Sequence, residues 1–178
     1  MVNLGGQENG KILSYPSTAE YAVPDALESK VIREIVQAIN VVIADGFALY
    51  EKTKKFYLNL EGSHNPGHKL LFDEQADEIF ASMDILAERM RQISVAPLRS
   101  ISHSGELQSV ENYNSDFRSL GEMIAELIAN NQKVAASLKF ALQICEKMCD
   151  LPIGMILQDI LDKTEKRIQL LGEAAINI

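Results

Sequence analysis

Apolar residues recur along most of this chain at intervals of three, four or seven, the spacing that places side chains on one face of an α-helix. Four such stretches follow one another, and no segment shows the alternation of a half-buried strand. The chain is therefore predicted to form four long amphipathic helices and no sheet. The stripe positions are Val31, Ile35, Ala38, Val42, Leu49, Phe56 and Leu60; then Phe72, Ala76, Ile79, Met83, Leu86, Met90 and Ile93; then Phe117, Leu120, Ile124, Leu127, Val134, Leu138, Ala141, Cys145 and Met148; and finally Ile153, Ile156, Ile160, Thr164, Arg167 or Ile168, and Leu171.

Capping and turn residues mark where these helices are expected to begin and end. Starts are predicted where a side chain that can accept hydrogen bonds from the first free amides precedes a stripe. These positions are Asp25 with Glu28 three residues later, Asn65 before Pro66, and Asp150 before Pro152. Glycine is common at the position that directly follows a helix, so the last helix is predicted to end at Gly172.

Residues 95–115 form a polar, irregular segment between the second and third stripes. A segment of this length can run along a whole bundle, whereas the other connections are short. This arrangement predicts an all-α, ferritin-like four-helix bundle with one long crossover, which contains a short helix near residues 107–111. Residues 24–178 are assigned to the bundle, and residues 1–23, which lack a sustained period, to an N-terminal arm.

The charge balance bears on possible partners. Of 178 residues, 25 are Asp or Glu and 17 are Lys or Arg, which gives a formal net charge of -8. An acidic surface repels nucleic-acid phosphates and attracts cations, so metal ions are favoured over DNA. Among the first 30 residues only Lys11 and Lys30 are basic, and DNA binding through the termini is therefore not expected.

The sequence also gives an expectation for cellular location. No apolar run approaches the roughly 18 residues needed to cross a bilayer, and the N-terminus lacks the pattern of a signal peptide. A cytoplasmic protein without a membrane partner is expected. Cys145 and Cys149 stand four residues apart, on one face of a helix, and are predicted to pack in the core rather than form a disulfide scaffold.

Acidic residues on the second predicted helix are the main candidates for chemistry. Asp73, Asp77, Asp84 and Glu88 are spaced four, seven and four, so they follow a line beside the apolar stripe. Carboxylates that converge at an interface require a cation to offset their repulsion, and such oxygen-rich groups suit iron, manganese or calcium. The alternative interpretation is a solvated helix face without a ligand.

Motifs in the same region resemble those of a known family. The run over residues 43–93, in which ALYEKTK, LFDEQ and D-x-x-x-E-R occur at the proper spacing, is similar to the first two helices of the Dps, or mini-ferritin, family. The similarity continues through LGEMIAELIANNQKVAASLK and DILDKTEKRIQLL and covers most of residues 35–171. The resemblance implies a homo-oligomeric cage of twelve subunits that oxidises iron(II), commonly with hydrogen peroxide, stores the ferric mineral and protects against oxidative stress.

The resemblance further implies a ferroxidase site between two subunits, formed by two His and an Asp of one subunit and an Asp and a Glu of the other. Asp73, Asp84 and Glu88 match the acidic ligands. Tyr57 and Lys69 stand where the family has its two histidines. The expected site is therefore altered.

Two main hypotheses follow for this altered site. In the first, the protein binds, oxidises and stores iron, or another divalent metal, and further ligands come from Tyr57, Asp77, His64 and His68. In the second, it is a catalytically silent paralogue that keeps the cage, and Lys69 replaces the metal by pairing with a carboxylate. A third hypothesis uses the same fold with a different metal or with a DNA contact on the outer surface.

Overall fold

Four long α-helices make up nearly all of the chain that the computed structural model describes, which is residues 26–60, 66–92, 110, 119–148 and 151–176. They are α1 (Ala26–Asn59), α2 (Pro66–Gln92), α3 (Leu120–Met148) and α4 (Leu151–Ile176). No residue within these ranges belongs to a strand. The predicted all-α four-helix bundle is confirmed.

The helices pack as antiparallel neighbours. The contacts between α1 and α3 join Asp45 to Ser137 and Lys52 to Glu126, so position numbers rise along one helix as they fall along the other. The short connection between α1 and α2 also makes that pair antiparallel. α2 and α3 therefore both run opposite to α1.

The core contains most of the predicted stripe positions that the structure describes, together with apolar residues beside them such as Ile39 and Ile43 of α1. Along α2, the stripe positions from Phe72 to Met90 are each no more than 1% exposed. Ile39 of α1 and both Ile124 and Leu127 of α3 are fully buried as well. Among the helices that the structure describes, none has an apolar stretch that could span a membrane.

A capping box that the stripe pattern did not predict starts α3. The backbone N–H of Ser119 donates to Glu122 Oε2 at 2.8 Å, and the backbone N–H of Glu122 donates to Ser119 Oγ at 3.3 Å. This reciprocal pair satisfies two amides at the free end of the helix. Several expectations lie outside the described residues: the caps Asp25, Asn65 and Asp150, the short helix near 107–111, and the arm over residues 1–23.

The predicted end of the last helix at Gly172 is wrong, because α4 continues to Ile176. A glycine inside a helix costs only about 1 kcal/mol relative to alanine. The buried Leu171 and the partly buried Ala174 pack against the core on either side of it. This packing outweighs the weak helix preference of the glycine.

A buried carboxylate connects the crossover to the bundle. Asp45 is fully buried on α1, and its Oδ2 accepts a 2.8 Å hydrogen bond from the Ser137 hydroxyl of α3. Its Oδ1 accepts a 3.3 Å hydrogen bond from the backbone N–H of Val110. A buried carboxylate is costly without such donors. Asp45 therefore holds one residue of the crossover against the α1–α3 pair.

Gly46 lies on α1 directly against Met83 of α2, and a methyl group at this glycine would overlap the buried methionine side chain. We expect Gly46→Ala to lower the free energy of unfolding by about 1–3 kcal/mol, because overpacking outweighs the gain in helix preference. Gly121→Ala is the matched control, since nothing lies within 4 Å of a methyl group there. Thermal unfolding at equal protein concentration measures both, and an equal effect of the two changes would contradict this account.

Candidate functional site

One exposed side of α2 carries the acidic residues singled out from the sequence. Asp77, Asp84 and Glu88 are exposed, and Asp73 is partly buried where α2 packs beside α1. Asp73 and Asp84 are eleven residues apart, which corresponds to roughly 16 Å along the helix axis. A single ion cannot bridge both carboxylates within one protomer.

Lys54 of α1 holds the two carboxylates at the start of this row. Its ammonium group donates to Asp73 Oδ1 at 2.6 Å and to Asp77 Oδ1 at 2.9 Å. These hydrogen bonds raise the pKa of Lys54 above its ordinary value of 10.5, the bond to Asp73 having the larger effect. Lys54 therefore stays charged at physiological pH and already supplies the cation that this carboxylate pair requires.

A second lysine, Lys69, lies beside the ring of Tyr57. Lys69 Nζ is 5.1 Å from the centre of the Tyr57 ring and 3.4 Å from the carbonyl oxygen of Leu60. Lys54 Nζ is 5.4 Å from the same ring. Both ammonium groups thus make cation–π contacts with the residue that stands at the first histidine position.

Within the protomer, the lysine that pairs with Asp73 is Lys54. The register of α1 against α2 brings Lys54 level with Asp73 and directs Lys69 toward the end of α1. The hypothesis that Lys69 replaces the metal by pairing with a carboxylate between subunits stays a prediction. Sequence reasoning missed Lys54, because the contact depends on how α1 and α2 are aligned and no local signal on α1 indicates it.

The remaining candidates lie apart from this cluster. Glu88 accepts a 3.3 Å contact from Arg91 one turn later on α2, and both side chains are exposed. His68 Nε2 lies 3.4 Å from the carbonyl oxygen of Ala174, so its ring is directed at the end of α4. His64 lies outside the described residues. Within the described part of the protomer, no three His, Cys, Asp or Glu side chains form a group that could hold a metal ion.

A separate polar cluster crosses the bundle interior. The guanidinium of Arg167 on α4 donates to Glu78 Oε2 at 2.8 Å, Asn131 Oδ1 at 3.1 Å and Thr164 Oγ1 at 2.7 Å. Burial lowers the pKa of Arg167, and its bond to Glu78 acts in the opposite direction. This position in the interior is occupied by a cation of the chain itself, so the cluster ties helices together rather than offering ligands to a metal.

Comparison with known proteins extends the fold assignment to a family. The sequence model of ferritin, described as a ferritin-like domain, matches residues 36–177. The chain belongs to the ferritin family. The all-α architecture and the Dps resemblance stated from the sequence are both confirmed by this match and by the Dps proteins among the similar chains.

Three of the similar proteins show the extent of the likeness. An uncharacterised low temperature-induced protein of Nostoc is 24% identical over 105 residues, 59% of either chain. DNA protection during starvation protein 1 of Deinococcus radiodurans is 25% identical over 124 residues, 70% of this chain and 60% of the relative. The chain thus spans about three fifths of the length of these relatives. The crystal structure of Dps from Thermosynechococcus elongatus is 22% identical, with a TM-score of 0.77 over 82% of this chain and 92% of the other, a likeness of fold.

Proposed function

We propose that the protein is a Dps-like mini-ferritin that binds and stores iron inside a shell of its own copies, and in this way protects the cell against oxidative stress. The ferritin-like match over residues 36–177 supports this proposal. The name of the Deinococcus relative, a DNA protection protein, supports a role in stress for the present chain. Membership of a twelve-subunit cage is part of the proposal.

The observation that carries the proposal is the row of carboxylates along the exposed side of α2 in a ferritin-like bundle. Iron is the cargo in this proposal, and ferric iron is a hard cation that prefers carboxylate oxygens. The chain has 25 acidic and 17 basic residues, and this excess of negative charge attracts cations to its surface. DNA contact through the termini is not proposed, because the first 30 residues supply only two lysines.

The oxidation step is altered in this proposal. Iron(II) would have to displace the Lys54 ammonium before it could reach both Asp73 and Asp77. The second candidate function, a catalytically silent paralogue that keeps the shell, is favoured by this double contact. Both candidates share the shell and differ only in whether the α2 carboxylates support oxidation.

Iron loading separates the candidates. When iron(II) and then hydrogen peroxide are added to the purified protein without oxygen, we expect ferric iron to form faster than in protein-free buffer and to elute with the protein in gel filtration. Absorbance of the ferric product gives the rate, and elemental analysis gives the retained iron. Glu88→Ala, compared at the same assembly state, is expected to slow oxidation.

Two outcomes would change the assignment. Oxidation at the buffer rate by both proteins, with iron still retained, would favour the catalytically silent shell. Failure of any iron to elute with the protein would contradict iron storage altogether. Glu165→Ala is the control for the loss of one negative charge. Glu165 forms an exposed ion pair with Lys139 and does not belong to the acidic residues of α2.

A further inference from the structure

Met155 on α4 differs from the other methionines whose side chains the structure describes. The side chains of Met83, Met90 and Met123 are at most 5% exposed, whereas that of Met155 is 74% exposed. A single exposed apolar side chain is common on protein surfaces and does not by itself indicate a binding site. The exposure does make the thioether sulfur of Met155 accessible to small reagents dissolved in water.

The apolar stripe of α4 explains why this side chain faces solvent. Ile153 and Leu157, two residues before and two residues after Met155, are fully buried. Two residues along an α-helix correspond to about 200° of rotation around its axis. Met155 therefore lies on the opposite side of α4 from the core, on the same side as the exposed Asp159 one turn later. An oxygen atom added to its sulfur would lie in water rather than in the core.

The buried methionines have a different environment. The Met83 sulfur packs so closely against Gly46 of α1 that a methyl group at the glycine would overlap it. Met90 and Met123 belong to the same core cluster. Close-packed cores contain few voids larger than a water molecule, so a dissolved oxidant reaches these sulfur atoms only when the helices separate. The described part of the fold thus contains one accessible thioether and three protected ones.

Hydrogen peroxide is the oxidant whose chemistry suits an accessible thioether. It is uncharged, so the net charge of -8 on the protein does not oppose its approach. A lone pair of the sulfur attacks one peroxide oxygen, the S–O bond forms and the O–O bond breaks. The departing hydroxide takes the proton of the transferred oxygen and leaves as water. The sulfur loses two electrons, the peroxide gains them, and the product is methionine sulfoxide.

We propose that Met155 is a site of reversible oxidation, at which hydrogen peroxide converts the thioether into a sulfoxide and methionine sulfoxide reductases convert it back, while the buried methionines stay unmodified. The reverse step takes two electrons from a pair of thiols, which form a disulfide, and releases the oxygen as water. Oxidation changes an apolar position on the surface of α4 into one that accepts hydrogen bonds. It requires neither iron nor a shell of several copies, so it is independent of the proposed function.

Site-resolved mass spectrometry of the full-length chain tests this proposal. Peroxide is added in a buffer with EDTA, which suppresses metal-catalysed radical formation, to the folded protein and to the protein unfolded in urea. After tryptic digestion, the rate of oxygen addition is measured at each site, and fragment ions separate Met155 from Met148 in the same peptide. We expect folding to slow oxidation of Met83 and Met123 by at least about tenfold, and that of Met155 by less than about threefold.

Enzymatic reversal tests the second half of the proposal. The oxidised protein is incubated with dithiothreitol and the two methionine sulfoxide reductases, one for each sulfoxide epimer, and we expect the oxygen to be removed from Met155. Protection of Met155 by the fold as strong as that of Met83 would overturn the proposal. A sulfoxide at Met155 that both reductases leave in place would overturn it as well.

Glutamine, which is polar and of similar length, imitates the oxidised side chain in a matched pair of variants. Met155→Gln is expected to melt at the temperature of the original chain, because its amide lies in water. Met83→Gln is expected to melt well below that temperature, because it buries an amide without hydrogen-bond partners. Circular dichroism measures both at equal protein concentration. A loss for Met155→Gln as large as that for Met83→Gln would place the Met155 sulfur in a covered position and contradict the proposal.

Discussion

Replacement of Phe72 by alanine is expected to lower the free energy of unfolding by about 3–5 kcal/mol. The Phe72 side chain is fully buried in the core formed by the helix stripes. Its removal takes away the apolar area of a whole ring and leaves a cavity, since the backbones of rigid helices close only partly around it. Urea titration followed by circular dichroism gives the unfolding free energy, and all variants are measured at one fixed protein concentration.

Phe140→Ala is the matched control for this prediction, because it makes the same chemical change at a residue that is 60% exposed on α3. Its effect is expected to stay within about 0.5 kcal/mol, as for most surface substitutions. A comparable loss from both changes would mean that Phe140 is covered by another part of the protein. A small effect from Phe72→Ala alone would contradict the placement of α2 in the core.

The contrast between these two phenylalanines shows what periodicity could and could not predict. Phe72 belongs to the regular stripe of α2, so its burial follows from the spacing. The start of α3 was also predictable, since Ser119 and Glu122 form the S-x-x-E signature of a capping box. The end of α4 was not, because Gly172 is a weak local signal and packing of residues on both sides decides the outcome.

The candidate site was predictable only in part, for a similar reason. The spacing of Asp73, Asp77 and Asp84 on one side of α2 follows from helix geometry alone. The identity of the cation that pairs with them does not follow from that geometry. Lys54 comes from a different helix, and its position beside Asp73 and Asp77 depends on how α1 and α2 are aligned. Three lysines lie close together on α1, and no local rule distinguishes the one that contacts Asp73 from its neighbours.

The buried side of α4 also could not be predicted fully from the sequence. The stripe left open whether Arg167 or Ile168 faces the interior, and the structure buries Arg167 while Ile168 is only half-buried. An apolar residue would ordinarily be preferred at such a position. Arg167 is accepted there because Glu78, far away in the sequence on α2, approaches it within the fold. A contact between residues so far apart in the sequence cannot be detected from the spacing of apolar positions.

Replacement of Glu78 by alanine is therefore expected to be severely destabilising, by about 3 kcal/mol. The Arg167 side chain is 3% exposed and would lose its only carboxylate within the described residues, leaving a buried positive charge with neutral partners, Asn131 and Thr164. The expected loss lies at the lower end of the usual range because the Glu78 side chain is 38% exposed, so water can enter beside the guanidinium. Urea titration again measures the change.

Comparison with an exposed ion pair isolates the role of burial in this prediction. Glu165→Ala removes the carboxylate that faces Lys139 at 2.9 Å, a pair in which both side chains are more than half exposed, and its cost should stay below about 1 kcal/mol. Glu78→Gln keeps an acceptor near Arg167 without the charge, so it should fall between the two. If Glu78→Ala cost no more than Glu165→Ala, the guanidinium would have to reach solvent, and Arg167 could no longer be regarded as the cation that fills the interior of this bundle.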